Sequence, residues 1–186
     1  MSLENKTIGI VFIGNFIIKE NLKYELVKLK INYKADIIPI IKRYKTNINI
    51  GQITKITKNE PIFYDKGIIS EKNIKSFDFL ILVGCGDDII SKIVNQKFDN
   101  NILKLIKYSQ LKQIPIIIGI NIKKFNYLSL MNIENLYKNK ICFFIPFKIA
   151  NPITKPDKIS FDPGLLLKTI SFASNSIQIK PILNFL

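Results

Sequence analysis

Residues 77–99 read FDFLILVGCGDDIISKIVNQKFD, and this stretch indicates the fold class. It begins with an apolar run of strand length, Phe79–Val83, and continues through Gly84, Cys85 and Gly86 into a segment whose apolar residues recur at helical spacing. A continuous apolar run is typical of a strand that is buried on both faces, as in a parallel sheet. The stretch therefore predicts a strand, a glycine-containing loop and a helix, which is the repeating unit of α/β folds.

Similar apolar runs recur along the chain, and several of them are separated by helical patterns. This alternation predicts a doubly wound, mainly parallel sheet of the Rossmann or flavodoxin-like class, with right-handed crossovers. We expect residues 1–186 to form one domain. The region 42–75 is the least regular, although its isoleucines allow a short helix near Ile50–Ile56. The predicted strands are Ile8–Ile13, Ile37–Ile41, Phe79–Val83, Ile114–Ile120 and Ile141–Phe147.

The charge of the chain is strongly basic. There are 28 Lys and Arg residues against 14 Asp and Glu residues, which gives a formal net charge of +14. A clustered excess of cations would favour nucleic-acid binding. Here the cations are spread along the chain and Arg43 is the single arginine, so we favour compositional drift over a nucleic-acid site. No apolar run reaches the roughly 18 residues of a membrane span, so we expect a cytoplasmic protein.

The residue types that are missing limit the chemistry. The chain has no histidine, which excludes His-based triads, His-ligated metals and imidazole acid–base catalysis. Cys85 and Cys142 have apolar neighbours, so they predict buried thiols and neither a disulfide framework nor a zinc site. Any chemistry would have to use carboxylates, lysines, tyrosines, cysteines or a cofactor.

Loops that follow the predicted strands are the candidate ligand sites. Ligands of open α/β sheets bind beyond the carboxyl ends of the strands, where helix N-termini attract anions. Two carboxylates, Asp87 and Asp88, lie at one such terminus, where either would be a suitable N-cap but both would repel a phosphate. The alternative for each loop is a plain turn. The candidate cofactor-binding residues are Gly14, Asn15, Gly86, Asp88, Ser91, Lys92, Asn95 and Asn121.

The last quarter of the chain carries an ordered set of motifs that resembles one known family. The order resembles that of the B subunit of dipicolinate synthase, a flavoprotein-like, Rossmann-type family of spore-forming bacteria. The resemblance runs from Asn5 to Leu183 and is weakest between Arg43 and Lys75. The motifs are an aromatic strand at Ile141–Phe147, then Asn151-Pro152 and Lys155-Pro156, the helix LLLKTISFA at 165–173, and the tail IQIKPIL at 177–183.

The resemblance retains the framework better than the site loops. Ser91, Lys92, Asn95 and Asp99 match the family, whereas Asp87 and Asp88 stand where the family has Gly and Asn. After the first strand, Phe16 stands where the family has His. After the predicted strand Ile114–Ile120, Lys123 and Lys124 replace the family's polar residues, and they are either anion ligands or solvated lysines. These differences predict that flavin binds weakly or not at all.

The resemblance implies a subunit that supports oxidation of dihydrodipicolinate to dipicolinic acid during sporulation. The expected location is the mother cell, as a homo-oligomer, with NAD(P) and the hydride chemistry on a dehydrogenase A subunit. FMN is a candidate cofactor of this chain, disfavoured by Asp87 and Asp88. The main alternative is a stand-alone FMN-binding flavoprotein of the phosphopantothenoylcysteine decarboxylase type. We expect the segments Asn151–Pro156 and Ile177–Leu183 to contact the partner, although a rigid surface loop is an equal interpretation of the former.

Overall fold

Strands and helices alternate along the part of the chain that the structure describes. The structure is a computed structural model, and it describes residues 3–14, 18–42, 48–65, 77–151 and 153–184. The strands are β1 (Thr7–Phe12), β2 (Asp36–Ile41), β3 (Ile62–Phe63), β4 (Phe79–Cys85), β5 (Ile116–Ile122), β6 (Cys142–Phe144), β7 (Phe147–Asn151), β8 (Lys155–Phe161) and β9 (Leu183–Asn184). The helices are α1 (Glu20–Asn32), α2 (Ile50–Thr57), α3 (Asp87–Val94), α4 (Asn101–Leu111), α5 (Tyr127–Tyr137) and α6 (Leu166–Ala173).

Six of these strands form a parallel sheet in the order β3-β2-β1-β4-β5-β6. The strand order reverses between β1 and β4, which is the hallmark of a doubly wound sheet. Residues 79–83 of β4 are all buried, as expected for a strand that is covered on both faces. The predicted doubly wound, mainly parallel fold with helices on both sides is confirmed. Among the described helices, none is long and apolar enough to cross a membrane.

The prediction of one strand over Ile141–Phe147, followed by a loop, is wrong. The chain leaves the parallel sheet after Ile145, whose N–H still donates to the Ile118 carbonyl at 3.0 Å. The next residue, Pro146, has no N–H to continue the ladder. Beyond it, β7 pairs with β8 in an antiparallel hairpin.

The turn of this hairpin is closed by an asparagine. The Asn151 side-chain oxygen accepts hydrogen bonds from the N–H groups of Ile153 and Thr154, at 3.0 and 2.9 Å. Such a side-chain turn reverses the chain within a few residues. Pro152, which the sequence placed in this loop, lies outside the described residues. Asn151 therefore ends β7 at the hairpin turn, and Lys155 and Pro156 begin β8.

Strand β5 changes its pairing partner along its length. Residues Ile116–Ile118 pair with β6, whereas Asn121 and Ile122 pair with β8. Between the two sets lies Gly119, on which a Cβ atom would stand 3.0 Å from Cγ of the Phe161 ring. Glycine is needed here because the ring of β8 packs directly on the β5 backbone.

The C-terminal tail completes the sheet from within the same chain. β9 runs parallel to β7. The Gln178 side-chain oxygen accepts from the Phe144 N–H at 2.6 Å, and its amide nitrogen donates to the Phe144 carbonyl at 2.8 Å. One side chain thus takes the place of a neighbouring strand beside β6. Much of the tail that the sequence assigned to a partner contact is used inside the fold.

We expect Gln178→Ala to lower the free energy of unfolding by about 2 kcal/mol, because the N–H and carbonyl of Phe144 would lose their partners. Urea unfolding followed by circular dichroism measures the change. Gln52→Ala, on helix α2, is the matched control, and we expect it to alter stability by less than about 0.5 kcal/mol. Equal stability of the two variants would contradict a structural role for Gln178.

Candidate functional site

A cavity of about 800 Å³ opens at the carboxyl edge of the parallel sheet. It lies at the point where the strand order reverses, which is where doubly wound folds bind their ligands. Residues that follow each of the first five strands contribute to its wall. The lining residues are Ile13, Gly14, Lys42, Tyr64, Asp65, Gly84, Gly86, Asp88, Ile89, Asp99, Asn100, Asn101, Ile102, Lys104, Asn121 and Lys123.

Two glycines shape the passage from β4 to α3, one inside the end of the strand and one between the strand and the helix. Gly84 has a φ of +85°, in the region that glycine adopts without strain, and the pairing of β4 with β5 shifts register there. Gly86 is the N-cap of α3, and it has no side chain with which to cap the helix. The expectation that Asp87 or Asp88 would be the N-cap is wrong, since both lie inside the first turn. An N-cap residue has an extended backbone, whereas Asp87 and Asp88 already belong to the helix.

The charges around the cavity nearly cancel. Lysines 42, 104 and 123 lie in its wall together with aspartates 65, 88 and 99. Asp99 is engaged by Lys92, whose Nζ lies 2.7 Å from the carboxylate. The hydrogen bond from Lys92 holds the pKa of Asp99 below its usual value. Lys92 is consequently committed to a protein carboxylate.

Four of the eight candidate cofactor-binding residues meet at the cavity, namely Gly14, Gly86, Asp88 and Asn121. The other described candidates lie elsewhere on α3 and its C-terminus. Ser91 faces a separate, shallower depression, Lys92 is paired as above, and the amide of Asn95 donates to the Ser91 carbonyl at 2.8 Å. Asn15 lies outside the described residues. A cofactor-binding role for all eight stays a prediction.

Two buried polar atoms near α3 have no hydrogen-bond partner within the described part of the chain. They are the side-chain oxygens Oδ1 of Asn121 and of Asp87. An unpaired buried acceptor costs free energy unless a donor reaches it. Asn121 lines the cavity, so an N–H or O–H group that reached its buried Oδ1 would satisfy the missing hydrogen bond.

Sequence reasoning missed the far wall of the cavity. Lys42 and Tyr64 follow β2 and β3, and Lys104 lies in the first turn of α4. The Asn101 amide donates to the Tyr64 carbonyl at 2.8 Å and so holds the start of α4 beside the end of β3. Burial, with the nearby Asp65, raises the pKa of Tyr64. The sequence gives only a weak indication of this wall, because β3, which leads to Tyr64, has only two residues.

The two cysteines are buried free thiols, as the sequence predicted. Burial raises the pKa of Cys85, and the nearby Asp88 adds to the effect. Burial alone raises the pKa of Cys142 to about 12. A nucleophilic cysteine acts as its thiolate, so neither residue is suited to covalent catalysis at neutral pH.

Comparison with known proteins agrees with the resemblance. The chain is 26% identical over 191 residues to the B subunit of dipicolinate synthase from Bacillus subtilis, which covers 98% of this chain and 95% of that protein. Its fold matches the crystal structure of the B subunit of dipicolinate synthase from Bacillus halodurans with a TM-score of 0.80, at 23% identity, over 99% of this chain and 98% of the other. The resemblance to this subunit is confirmed.

More distant matches define the fold. The FMN-dependent cysteine decarboxylase SpaF matches with a TM-score of 0.68 at 8% identity, over 94% of this chain and 99% of the other. At that identity the match concerns the fold alone. The fold is thus of the flavoprotein decarboxylase type, within the flavodoxin-like class. No protein-family model matches the chain.

We expect both thiols to resist modification by 5,5′-dithiobis(2-nitrobenzoate) at pH 8 in the folded protein. Burial keeps them protonated and out of reach, since the thiolate is the reactive form. Absorbance at 412 nm follows the reaction, and the same protein in 6 M guanidinium, as roughly needed to unfold a stable domain, provides the control in which both thiols react. Rapid modification of Cys85 or Cys142 in the folded protein would contradict the burial described above.

Proposed function

We propose that this chain is the B subunit of dipicolinate synthase and supports the oxidation of dihydrodipicolinate to dipicolinic acid during sporulation. It would act in the mother-cell cytoplasm, together with a dehydrogenase A subunit and as an oligomer. The observation that carries the proposal is the similarity to the B subunit of dipicolinate synthase along 98% of this chain. A cavity at the carboxyl edge of the sheet supports it further, because it provides a ligand site within this chain.

In this proposal the redox step takes place on the partner. Dihydrodipicolinate loses a hydride to NAD(P)⁺ and a proton to solvent or a base, and its ring becomes aromatic. The loops after β1 and β4 lack the G-x-G-x-x-G pattern of a dinucleotide site. The chain also has no histidine, and its thiols stay protonated. Its own contribution would be to bind and orient the substrate or to shape the complex.

The cavity wall offers cations to a small dicarboxylate, besides the three aspartates described above. Lys42, Lys104 and Lys123 lie in it and form no ion pair within the described residues. A lysine that hydrogen-bonds a carboxylate contributes more than a neutral donor does. The buried acceptor on Asn121 would orient a ligand group that carries a proton. These four residues are the ones we propose to contact substrate.

FMN fits this site poorly. Structures of the same fold include FMN-dependent enzymes, which makes FMN a candidate for this chain. The phosphate of FMN would be suited to a helix N-terminus, but the first turn of α3 carries Asp87 and Asp88. The proposed role therefore does not depend on FMN.

The alternative is a stand-alone FMN-binding flavoprotein of the phosphopantothenoylcysteine decarboxylase type. The fold match to an FMN-dependent cysteine decarboxylase favours it. The carboxylates at α3 and the missing histidine count against it. The two functions differ in whether the purified chain holds flavin, so flavin binding distinguishes them.

We expect FMN to bind the unaltered chain weakly, and the double variant Asp87→Gly, Asp88→Asn to bind it about 3- to 30-fold more tightly. Each exposed charge at a helix terminus contributes about 0.3–1 kcal/mol, and two are removed. Quenching of FMN fluorescence at low salt measures the affinity. The control, Glu60→Gln with Asp157→Asn, removes two negative charges elsewhere. Yellow, stoichiometric FMN in the unaltered purified protein would favour the alternative function.

Reconstitution tests the proposed function itself. Dipicolinate formation from the lysine-pathway intermediate with NAD(P)⁺ is measured for the dehydrogenase subunit alone, for this chain alone, and for both. We expect turnover to need the dehydrogenase and to rise when this chain is added. Turnover by this chain alone, or no effect of adding it on rate or stability, would overturn the proposal.

A pair of lysine variants tests whether the substrate binds in the cavity. Lys104→Met removes a cation from the wall, whereas Lys55→Met removes an exposed cation from α2, outside the wall. In the reconstituted complex we expect Lys104→Met to raise KM for the dicarboxylate by about 3- to 10-fold, as for the loss of one charged hydrogen bond. Lys55→Met should leave KM unchanged. Equal KM values for the two variants would contradict substrate binding in the cavity.

A further inference from the structure

Helix α5 has apolar side chains on two opposite faces. Ser129, Ile133 and Leu136 are buried and hold it against the rest of the protein. With about 100° between successive residues, the apolar residues of its first turns point the other way. We call these four side chains the α5 surface: Tyr127, Leu128, Leu130 and Met131, which are 72%, 68%, 49% and 40% exposed.

The exposed apolar side chains are not what holds the helix in place. Its first turn is fixed by a capping box, in which the Asn126 side chain accepts from the Ser129 N–H at 3.1 Å and the Ser129 hydroxyl accepts from the Asn126 N–H at 3.3 Å. The buried face supplies the packing. A group of large apolar side chains left in water is typical of an interaction surface.

Two depressions border this helix. One, of about 270 Å³, is lined by Leu128 and Asn132 from α5 and by Asp87 and Asp88 from α3. The other, of about 400 Å³, lies towards the C-terminal end of α5, where Leu111 of α4 is 72% exposed. Depressions next to protruding apolar side chains give a partner places to insert its own side chains.

The charges around the α5 surface indicate the kind of partner. Lys123 and Lys124 precede the helix and Lys140 follows it, and all three are exposed. None of them forms an ion pair within the described residues. Glu134, on the helix, is already paired with Lys138 at 2.8 Å. The apolar centre is thus flanked by cations at both ends.

A second copy of this chain is a poor occupant. A second copy bound through the same surface would bring its own Lys123, Lys124 and Lys140 against these cations, so like charges would face each other there. A protein with carboxylates around an apolar patch would be attracted over a distance and held by the apolar contact. Such a partner could also place a donor in the depression near Asp87.

We propose that the α5 surface binds a different protein whose contact patch has an apolar centre with carboxylates at its ends. The inference rests on the proposed function, in which this partner is the dehydrogenase subunit. It replaces the tail as the main contact, because the tail is bound to β6 and β7 of its own chain. The helix follows directly after β5, so a partner there lies close to the cavity wall at Lys123.

Binding of the dehydrogenase subunit to immobilised chain, measured by biolayer interferometry, tests the inference. Leu128→Ser with Met131→Ser should weaken binding by about tenfold or more, as for central interface residues. Lys123→Glu with Lys124→Glu should slow association and reduce its salt dependence. The matched controls are Ile31→Ser, which alters a side chain on α1 that is 69% exposed, and Lys55→Glu with Lys97→Glu.

The outcomes separate this inference from the proposed function. If the unaltered chain fails to bind the dehydrogenase subunit, both are overturned. If it binds, and the α5 variants bind like the controls while circular dichroism shows them folded, this inference alone is overturned. If the apolar double variant instead changes the mass of the chain alone in sedimentation, a second copy is the occupant and the inference is equally wrong.

Discussion

The pairing of strand β5 is the constraint on which the rest of the structure depends. Its first half continues the parallel sheet into β6, and its last two residues turn to the antiparallel β8. Gly119 allows this change because the Phe161 ring occupies the space of a side chain. The end of β5 then places Asn121 in the cavity, and a bond from the Phe125 N–H to the Asp157 carbonyl, at 2.6 Å, ties the start of α5 to the same hairpin. The cavity and the α5 surface are therefore both positioned by one strand.

The cavity lies where doubly wound folds bind their ligands, and its electrostatics disfavour an anion at the start of α3. The cavity lies where the sheet order reverses, and Gly84 and Gly86 shape its central loop. A helix N-terminus normally favours a bound anion, but the two carboxylates at the start of α3 repel an anion there. The three lysines of the cavity wall are still available to carboxylates. In the proposed function the ligand of this cavity is accordingly a small dicarboxylate and not a flavin phosphate.

The sequence predicts the parallel core well because each central strand is a continuous apolar run. Runs at β1, β2, β4 and β5 agree with the structure within about two residues at most ends, and the helix near Ile50–Ile56 exists. The hairpin escaped prediction because β8 begins Lys-Pro-Asp-Lys, which is typical of a loop. Gln178 bonds a backbone 34 residues earlier in the chain, a contact that no local pattern reveals. In the site, loops after strands identify Gly14, Gly86, Asp88 and Asn121, whereas Lys104 joins them only through the packing of α4.

The central claim is that this chain works as one component of a two-protein enzyme. A titration tests it most directly: dipicolinate formation is followed at fixed dehydrogenase concentration while this chain is added in increasing amounts. The account predicts that the rate rises and reaches a plateau at a simple stoichiometric ratio of the two proteins. A rate proportional to the amount of this chain in the absence of dehydrogenase, or one unaffected by the addition, would contradict it.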